Sequence, residues 1–372
     1  MNNKKVCKRC IMDNQGDSNI TFLDDGTCNY CNYAIMRMPH VYFPNEVGEK
    51  LLQKMLNQIK QDRKKYEYDC IMGISGGLDS AYLAYLGSKK WGLRILGIHV
   101  DDGFDTEAAI MNIEAIRKNC GIQIINIAPN KEQFMDLTRS FFLAGVSGIC
   151  NPQDNILVAA LFSVAKKYKI KHFLSGTNFA LESILQRSGG HIYADDVNIR
   201  DIHKKFGTIS ISDLRLISIW ERYFIYKYFH GLKYLRPLDL IEYHRDRAIL
   251  ELESIGFKYY EGKHYESVLT RFTQVYYLPK KFNIDIRKSH ISSLIVSGQI
   301  TREEALNEIS KPLYVEKKIE EDINYILENL RLSRKEFEKI MNEPAQDHTH
   351  FKYSIWIKFI NIARKYRKYL SD

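Results

Sequence analysis

No stretch of this sequence approaches the roughly 20 consecutive apolar residues that a membrane-spanning helix needs, so no transmembrane segment is read from it. The opening Met1-Asn2-Asn3-Lys4-Lys5-Val6-Cys7 carries positive charge with no apolar stretch behind it. That is not the pattern of a secretory signal, and a cytoplasmic location is expected. Internal repeats and low-complexity tracts are missing too, which sets aside solenoids and compositionally disordered tails. The excess of positive charge is small: Lys plus Arg number 54 against 45 for Asp plus Glu, a net +9 that suits anionic ligands without choosing among them. With 45% hydrophobic and 27% charged residues over 372 positions, the chain can bury a sizeable core as one large or two modest domains.

Of the seven cysteines, Cys70, Cys120 and Cys150 lack partner spacing and read as packed or isolated thiols. The other four form two tight pairs, Cys7-x2-Cys10 and Cys28-x2-Cys31, separated by 17 residues. In a reducing compartment that spacing indicates metal rather than disulfide. Four thiolates around Zn²⁺ leave no open coordination position, so such a site is structural and supplies folding energy to a module too small for its own core. An iron–sulfur cluster uses the same ligands and stays open as an alternative.

Three regions are expected along the chain: a four-cysteine module over 1–45, an ATP-binding α/β domain over 46–255 and a helical substrate or partner region over 256–372. Short apolar runs at Cys70–Ile74, Arg94–Val100, Ile122–Ile127 and His172–Leu174 read as buried strands. They alternate with helical patterns at Ala81–Leu86, Glu107–Asn119 and Ile156–Val164, the last with Asn151 as its expected N-cap and Pro152 as its first residue. The fold class is therefore α/β, a parallel sheet with helices on both faces. Thr301…Glu304 and Ser333…Glu336 have the capping-box spacing within the helical region.

Strand Ile71–Ile74 runs into Ser75-Gly76-Gly77-Leu78-Asp79-Ser80 and then into a helix. Adjacent glycines let backbone N–H groups close on an anion, the helix N-terminus adds partial positive charge, and Ser75 and Ser80 add hydroxyl donors. The loop lacks the Gly-Lys-Ser/Thr ending of the common nucleotide-triphosphate loop, which excludes a motor or GTPase reading. Asp79 inside a phosphate cradle makes sense if it carries Mg²⁺ to the phosphates or caps the helix.

This string resembles the signature of the PP-loop ATP pyrophosphatases, the adenine nucleotide α-hydrolase fold. The resemblance implies splitting of ATP to AMP and pyrophosphate, with adenylation of a carbonyl or amide-like oxygen. It implies that Ser75, Gly76, Gly77, Asp79 and Ser80 hold the pyrophosphate end, and that Gly73, Val100 and Asp101 lie near adenosine, with Asp102 serving there or in a helix-capping loop. The segment Ser175-Gly176-Thr177-Asn178 follows the fourth strand, where the fold faces the α-phosphate. Gly176 and Thr177 are thus placed at the nucleotide, and Asn178 and Glu182 join Asp79 as candidate catalytic groups.

The four-cysteine start, the loop and the helical tail together resemble the N-acetyl sugar amidotransferases of bacterial surface polysaccharide, O-antigen and flagellar glycan synthesis. The tail stretches Lys263–Ser267, Thr270–Phe272, Tyr277–Phe282, Arg287–His290 and Ser297–Ala305 carry that likeness, while Thr177 departs from it where an acidic residue is expected. The resemblance implies that the acetamido group of a nucleotide-activated sugar is adenylated and then attacked by ammonia to give an acetamidino group. Arg236, Lys263, His264 and Arg271 are its candidates for binding sugar nucleotide or pyrophosphate. ATP, Mg²⁺ and Zn²⁺ are the expected cofactors. No cysteine sits at the mature N-terminus or in a Gly-rich nucleophile elbow, so ammonia is expected from solution or from a partner; the resemblance implies a separate glutaminase and a barrel subunit similar to those of histidine biosynthesis. A tRNA sulfurtransferase shares the loop and is the alternative; nucleic acid is not a partner in the preferred reading. Residues 351–372 read as a basic amphipathic helix with Trp356 as a candidate partner anchor.

Overall fold

A computed structural model describes residues 4–186, 190–260 and 265–360. They fall into two compact units that interleave along the chain: one of 1–127, 172–188 and 234–326, the other of 128–171, 189–233 and 327–372.

The first unit is organised by a sheet of order β3-β2-β1-β4-β5, with β1 at Cys70–Gly73, β2 at Ile95–Val100, β3 at Gln123–Ile127, β4 at His172–Leu174 and β5 at Lys233–Leu235. The β1–β2, β2–β3 and β1–β4 pairs are parallel. Parallel neighbours need crossovers, and helices Leu78–Tyr85 and Glu107–Cys120 supply the first two. Cys70, Met72 and Ile74 alternate onto one face, in a core shared with Leu83, Ile116 and Leu252. Ile71, Leu96 and Ile98 are also wholly buried, so the sheet is covered on both faces, as apolar parallel strands require. The chain moves outward from β1 through β2 to β3, then returns to the other side of β1 as β4. The loops after β1 and β4 therefore diverge around a switch point, where open α/β sheets place their ligands.

The four strands expected from apolar runs are present, and so are both capping boxes. Two details differ. The short strand Lys233–Leu235 is half-exposed and has too little apolar pattern to announce itself. Helix Asn151–Lys167 begins one residue earlier than expected: Cys150 occupies the N-cap position, and Asn151 N–H instead closes a turn on Gly148 O at 3.0 Å. The second unit is built around helices Lys131–Leu143, Asn151–Lys167 and Asp196–Phe206. A buried Asp136 ties the first of these to the last by accepting from His203 (2.9 Å) and from Thr208 just beyond it. In this unit Trp356 packs on Trp220 and Phe224 at centroid distances of 5.0 and 5.6 Å, which places the expected anchor within an aromatic cluster. The rest of the expected tail helix, 361–372, lies outside the described residues.

Gly48, in helix Glu46–Asp62, is a test of packing against propensity. A Cβ there would stand 1.8 Å from Phe43 O and 2.5 Å from Leu240 O. Ala is favoured over Gly in a helix by about 1 kcal/mol, but relieving two backbone clashes means moving the helix off its seat. Gly48→Ala is expected to destabilise the chain by about 2 kcal/mol or more in urea unfolding; stabilisation would show that the helix is not seated backbone to backbone.

Candidate active site

The loop after β1 owes its shape to Gly76. Its φ is +76°, and an added Cβ would lie 2.5 Å from the Ala109 carbonyl oxygen, so only glycine lets the loop approach helix Glu107–Cys120 this closely. Asn112, wholly buried on that helix, donates to Gly76 O at 3.1 Å and to Lys258 O at 3.0 Å and accepts from Lys258 N–H at 2.8 Å. Ser75 Oγ lies 3.2 Å from Ser80 Oγ and accepts from Gly77 N–H at 3.2 Å. The loop thus brings two hydroxyls and an N–H-rich turn to the start of helix Leu78–Tyr85.

Asp79 does not cap that helix; its N-cap position is Gly77, with no side-chain bond. Asp79 Oδ1 accepts from the phenol of Tyr243 and from Asn178 Nδ2 at 3.4 Å. Burial first, and then the Asp79 charge beside it, raise the Tyr243 phenol well above its ordinary value, which keeps it a donor. Asn178, wholly buried, accepts from Leu181 N–H at 2.9 Å through Oδ1 and so caps helix Phe179–Glu182. A Cβ on Gly176 would lie 3.2 Å from the Asp79 carbonyl carbon, so the loop after β4 touches the loop after β1 directly. Ser175 Oγ accepts from Thr177 N–H at 3.2 Å and pairs with Tyr234 OH at 2.7 Å. Glu182 is half-buried, with Asp239 and Tyr243 within its electrostatic reach. The Asp239 carboxyl is pushed up to about 6 by burial, against the pull of Arg236.

Gly73 and Val100 end their strands half-buried. Asp101 and Asp102 each fold back to accept the amide two residues on, from Gly103 (3.2 Å) and Phe104 (3.0 Å). Of the candidate cations, Arg271 forms a two-pronged pair with buried Asp322, both bonds 2.7 Å, and donates to Tyr265 O at 3.4 Å. Arg236 pairs with Asp239 at 2.8 Å. Lys263 and His264 lie outside the described residues.

Three groups escaped notice as site residues in the sequence. Tyr243 is one. The others are Glu266 and Tyr260: Glu266 Oε1 accepts from Ser75 Oγ at 3.1 Å, and Tyr260 OH donates to Glu266 Oε2 at 3.1 Å. Burial, and then the Glu266 charge, raise the Tyr260 phenol strongly. Only spatial proximity links positions 75 and 266.

The four paired cysteines meet at a second centre. Their Sγ atoms all lie within 4.8 Å of one another, with Cys7–Cys31 at 3.7 Å and Cys10–Cys28 at 3.6 Å. Sulfurs about 2.3 Å from a shared ion stand about 3.8 Å apart in a tetrahedron, so the set fits one ion. Backbone N–H groups of Arg9, Cys10 and Cys28 point at Cys7 Sγ from 3.4, 3.4 and 3.2 Å, and Arg9 Nη1 reaches Cys31 Sγ at 3.7 Å, as thiolates need.

Residues 266–364 match the family described as LPS biosynthesis protein WbpG-like, C-terminal domain. The C-terminal region of this chain is thus similar to that domain. The same chain carries that match and, ahead of it, an α/β sheet of order β3-β2-β1-β4-β5 with its glycine-rich loop after β1. An uncharacterized protein of Methanocaldococcus jannaschii is 20% identical over 319 residues, 85% of this chain and 97% of that protein. A glutamine-hydrolyzing GMP synthase component of Archaeoglobus fulgidus is 25% identical over 148 residues, 38% of this chain and 44% of that one. The chain thus spans less than half of that GMP synthase component. Among solved structures, the NMN synthetase of Francisella tularensis aligns over 78% of this chain and 95% of its own at 12% identity and a TM-score of 0.36. Glu266 is the first residue of the WbpG-like match, so the matched region begins at a contact with the loop after β1. Among the described residues no helix is long and apolar enough to cross a membrane.

His99 yields a pH prediction. Nδ1 faces Ile74 O at 3.0 Å and Nε2 faces Asp105 at 3.0 Å, so both ring nitrogens meet acceptors and the doubly protonated ring is favoured. Burial opposes this, but Asp105, the Ile74 carbonyl and Asp101 outweigh it and the pKa is raised above 6.5. A raised folded-state pKa contributes stability that is complete below the unfolded value near 6.5 and lost as pH rises through the folded value. Urea midpoints should therefore decline above that pH in the wild type and lose this component in His99→Gln; an identical profile in the variant would contradict the assignment.

Proposed function

We propose that this chain amidates the acetamido group of a nucleotide-activated sugar at the expense of ATP, giving an acetamidino sugar, AMP and pyrophosphate. The observation that carries the reading is one chain in which the Ser75–Ser80 cradle lies at the switch point of a PP-loop-type sheet and touches a WbpG-like domain through Glu266. The acetamido oxygen attacks the α-phosphorus of ATP, pyrophosphate leaves, and an O-adenylyl imidate forms. Ammonia adds to the imidate carbon, one of its protons passes to the sugar nitrogen, and AMP departs with the former amide oxygen to leave the amidinium. An amide carbon is a poor electrophile, and making its oxygen part of AMP supplies a good leaving group. Catalysis then rests on positioning and on charge stabilisation at phosphate.

The residues divide this work. The hydroxyls of Ser75 and Ser80 and the amides around Gly76 and Gly77 receive the pyrophosphate end. Asp79, aimed by Tyr243 and Asn178, is the ligand for Mg²⁺, which when bound neutralises phosphate charge. Gly176 and Thr177 face the α-phosphate, Gly73, Val100 and Asp101 bound the adenosine side, and Glu182 borders the substrate. Arg271 serves substrate indirectly, by fixing the Tyr265 carbonyl, and Arg236 by fixing Asp239. The sulfur spacing supports Zn²⁺ at Cys7, Cys10, Cys28 and Cys31 over an iron–sulfur cluster, whose ligands sit on separate irons and stand farther apart. Ammonia comes from a separate glutaminase with its barrel subunit, in the cytoplasm, for lipopolysaccharide O-antigen synthesis.

The test is incubation with ATP, Mg²⁺, ammonium and a panel of nucleotide-linked acetamido sugars, one with a heavy isotope in the acetamido oxygen. The isotope should appear in AMP; pyrophosphate release with no sugar dependence would refute the amidation. Asp79→Ala should lower turnover by about 10²-fold or more with the fold retained, the scale of losing one preorganised charge contact. Cys28→Ser should lose the metal by elemental analysis and unfold at lower temperature; wild-type protein devoid of zinc would sink the knuckle assignment.

A further inference from the structure

The cradle meant for a polyphosphate already faces an anion of the chain's own making. Glu266 Oε1 takes the Ser75 hydroxyl at 3.1 Å, and it lies 2.6 Å from where a Cβ on Gly77 would be. Glu266 therefore sits directly over the Gly76-Gly77 turn, where the loop's backbone approaches an anion most closely. Tyr260 holds the other carboxylate oxygen at 3.1 Å and itself reaches Gly76 O at 3.4 Å. The backbone on either side is fastened as a strap along the loop after β2: Thr106 N–H donates to Glu266 O at 2.8 Å, and Val268 N–H donates to Phe104 O at 2.7 Å. Arg271 secures Tyr265 O from behind while anchored on Asp322. The placement is built, then, from backbone pairing, a phenol and an ion pair.

We propose that Glu266 is a resident anion of the cradle, held there until the pyrophosphate end of ATP displaces it, and that it thereby sets nucleotide affinity. This rests on the reading of Ser75–Ser80 as the phosphate site. A carboxylate oxygen accepting from Ser75 occupies the role of a phosphate oxygen, and two anions cannot share a cradle at this range without strong repulsion. ATP arrival must turn the side chain out, and because Glu266 opens the WbpG-like domain, the same event signals to that domain that nucleotide is bound.

The experiment is calorimetric titration of the full chain with inorganic pyrophosphate, with and without Mg²⁺, for wild type, Glu266→Gln and Glu266→Ala, each checked for folding by thermal melt. Gln preserves the shape and removes the charge, so it guards against a folding defect in the Ala variant. Without Mg²⁺ both variants should bind pyrophosphate at least about tenfold tighter than wild type, the effect of removing one close like charge. Equal affinity in all three forms overturns the proposal and leaves the cradle reading standing. Weaker binding by the variants in Mg²⁺ alone also overturns it and makes Glu266 a metal ligand. Binding by none of the forms overturns both the cradle and the resident anion.

Discussion

The backbone of Gly76 lies against helix Glu107–Cys120 with no space for a side chain between them, and the geometry of the site follows from that contact. Because the loop is pressed onto the helix, buried Asn112 can grip Gly76 O with the same amide that grips Lys258 O. The segment carrying Lys258 and Tyr260 is thereby registered against the loop. Tyr260 then sets Glu266, and the Thr106 and Phe104 backbone holds the strap that bears it. One conformational requirement at one glycine is thus linked, through packing and a series of hydrogen bonds, from residue 76 to residue 268. On the other side of the loop Gly176 packs closely on Asp79, where an added Cβ would lie 3.2 Å from its carbonyl.

The cysteine centre is tied into the same unit. Arg302 donates to Cys7 O at 3.2 Å and Cys10 O at 3.3 Å, Ser292 Oγ accepts from Ile11 N–H at 3.3 Å, and Lys288 pairs with buried Asp13 at 2.7 Å. All three partners lie in the WbpG-like region, so the carbonyls that shape the first knuckle are satisfied by helices almost three hundred residues downstream. A module with so little apolar core gains its rigidity from ion ligation and from these borrowed donors. Its own buried set, Met12, Tyr30 and Ala34 among the sulfurs, packs with Phe179 and Ile184, which follow the β4 loop.

Much of this was legible in the sequence wherever the signal was local. Apolar runs located β1 to β4, the Ser-Gly-Gly-x-Asp-Ser string located the glycine turn between β1 and its helix, and the cysteine spacing located the ion-sized cluster. The half-exposed strand Lys233–Leu235 was not legible, because three residues of mixed polarity have no period to read. Nor was the interleaving of two compact units, since composition does not reveal that 128–171 leaves the sheet and 172 rejoins it. Tyr243, Tyr260 and Glu266 were invisible as site residues for one reason: their roles depend on pairings 164, 184 and 191 positions apart. Arg271 shows the converse. Its charge invited a role at substrate, and the structure commits the guanidinium to Asp322.

That commitment bears on how the site handles charge. The chain's excess of cations is not delivered to the cradle by the candidates that can be followed, since Arg271 and Arg236 are each matched to a buried aspartate. The groups that do face the loop, Asp79 and Glu266, are acidic, and the phenols beside them stay neutral. Among the described residues, a polyphosphate bound as proposed would meet backbone amides, hydroxyls and two carboxylates. Backbone dipoles and hydroxyls alone leave most of its charge uncompensated. If the loop takes a polyphosphate as proposed, the arrangement favours a ligand that brings its own divalent cation, with Asp79 the carboxylate proposed to receive it and Glu266 the one proposed to leave.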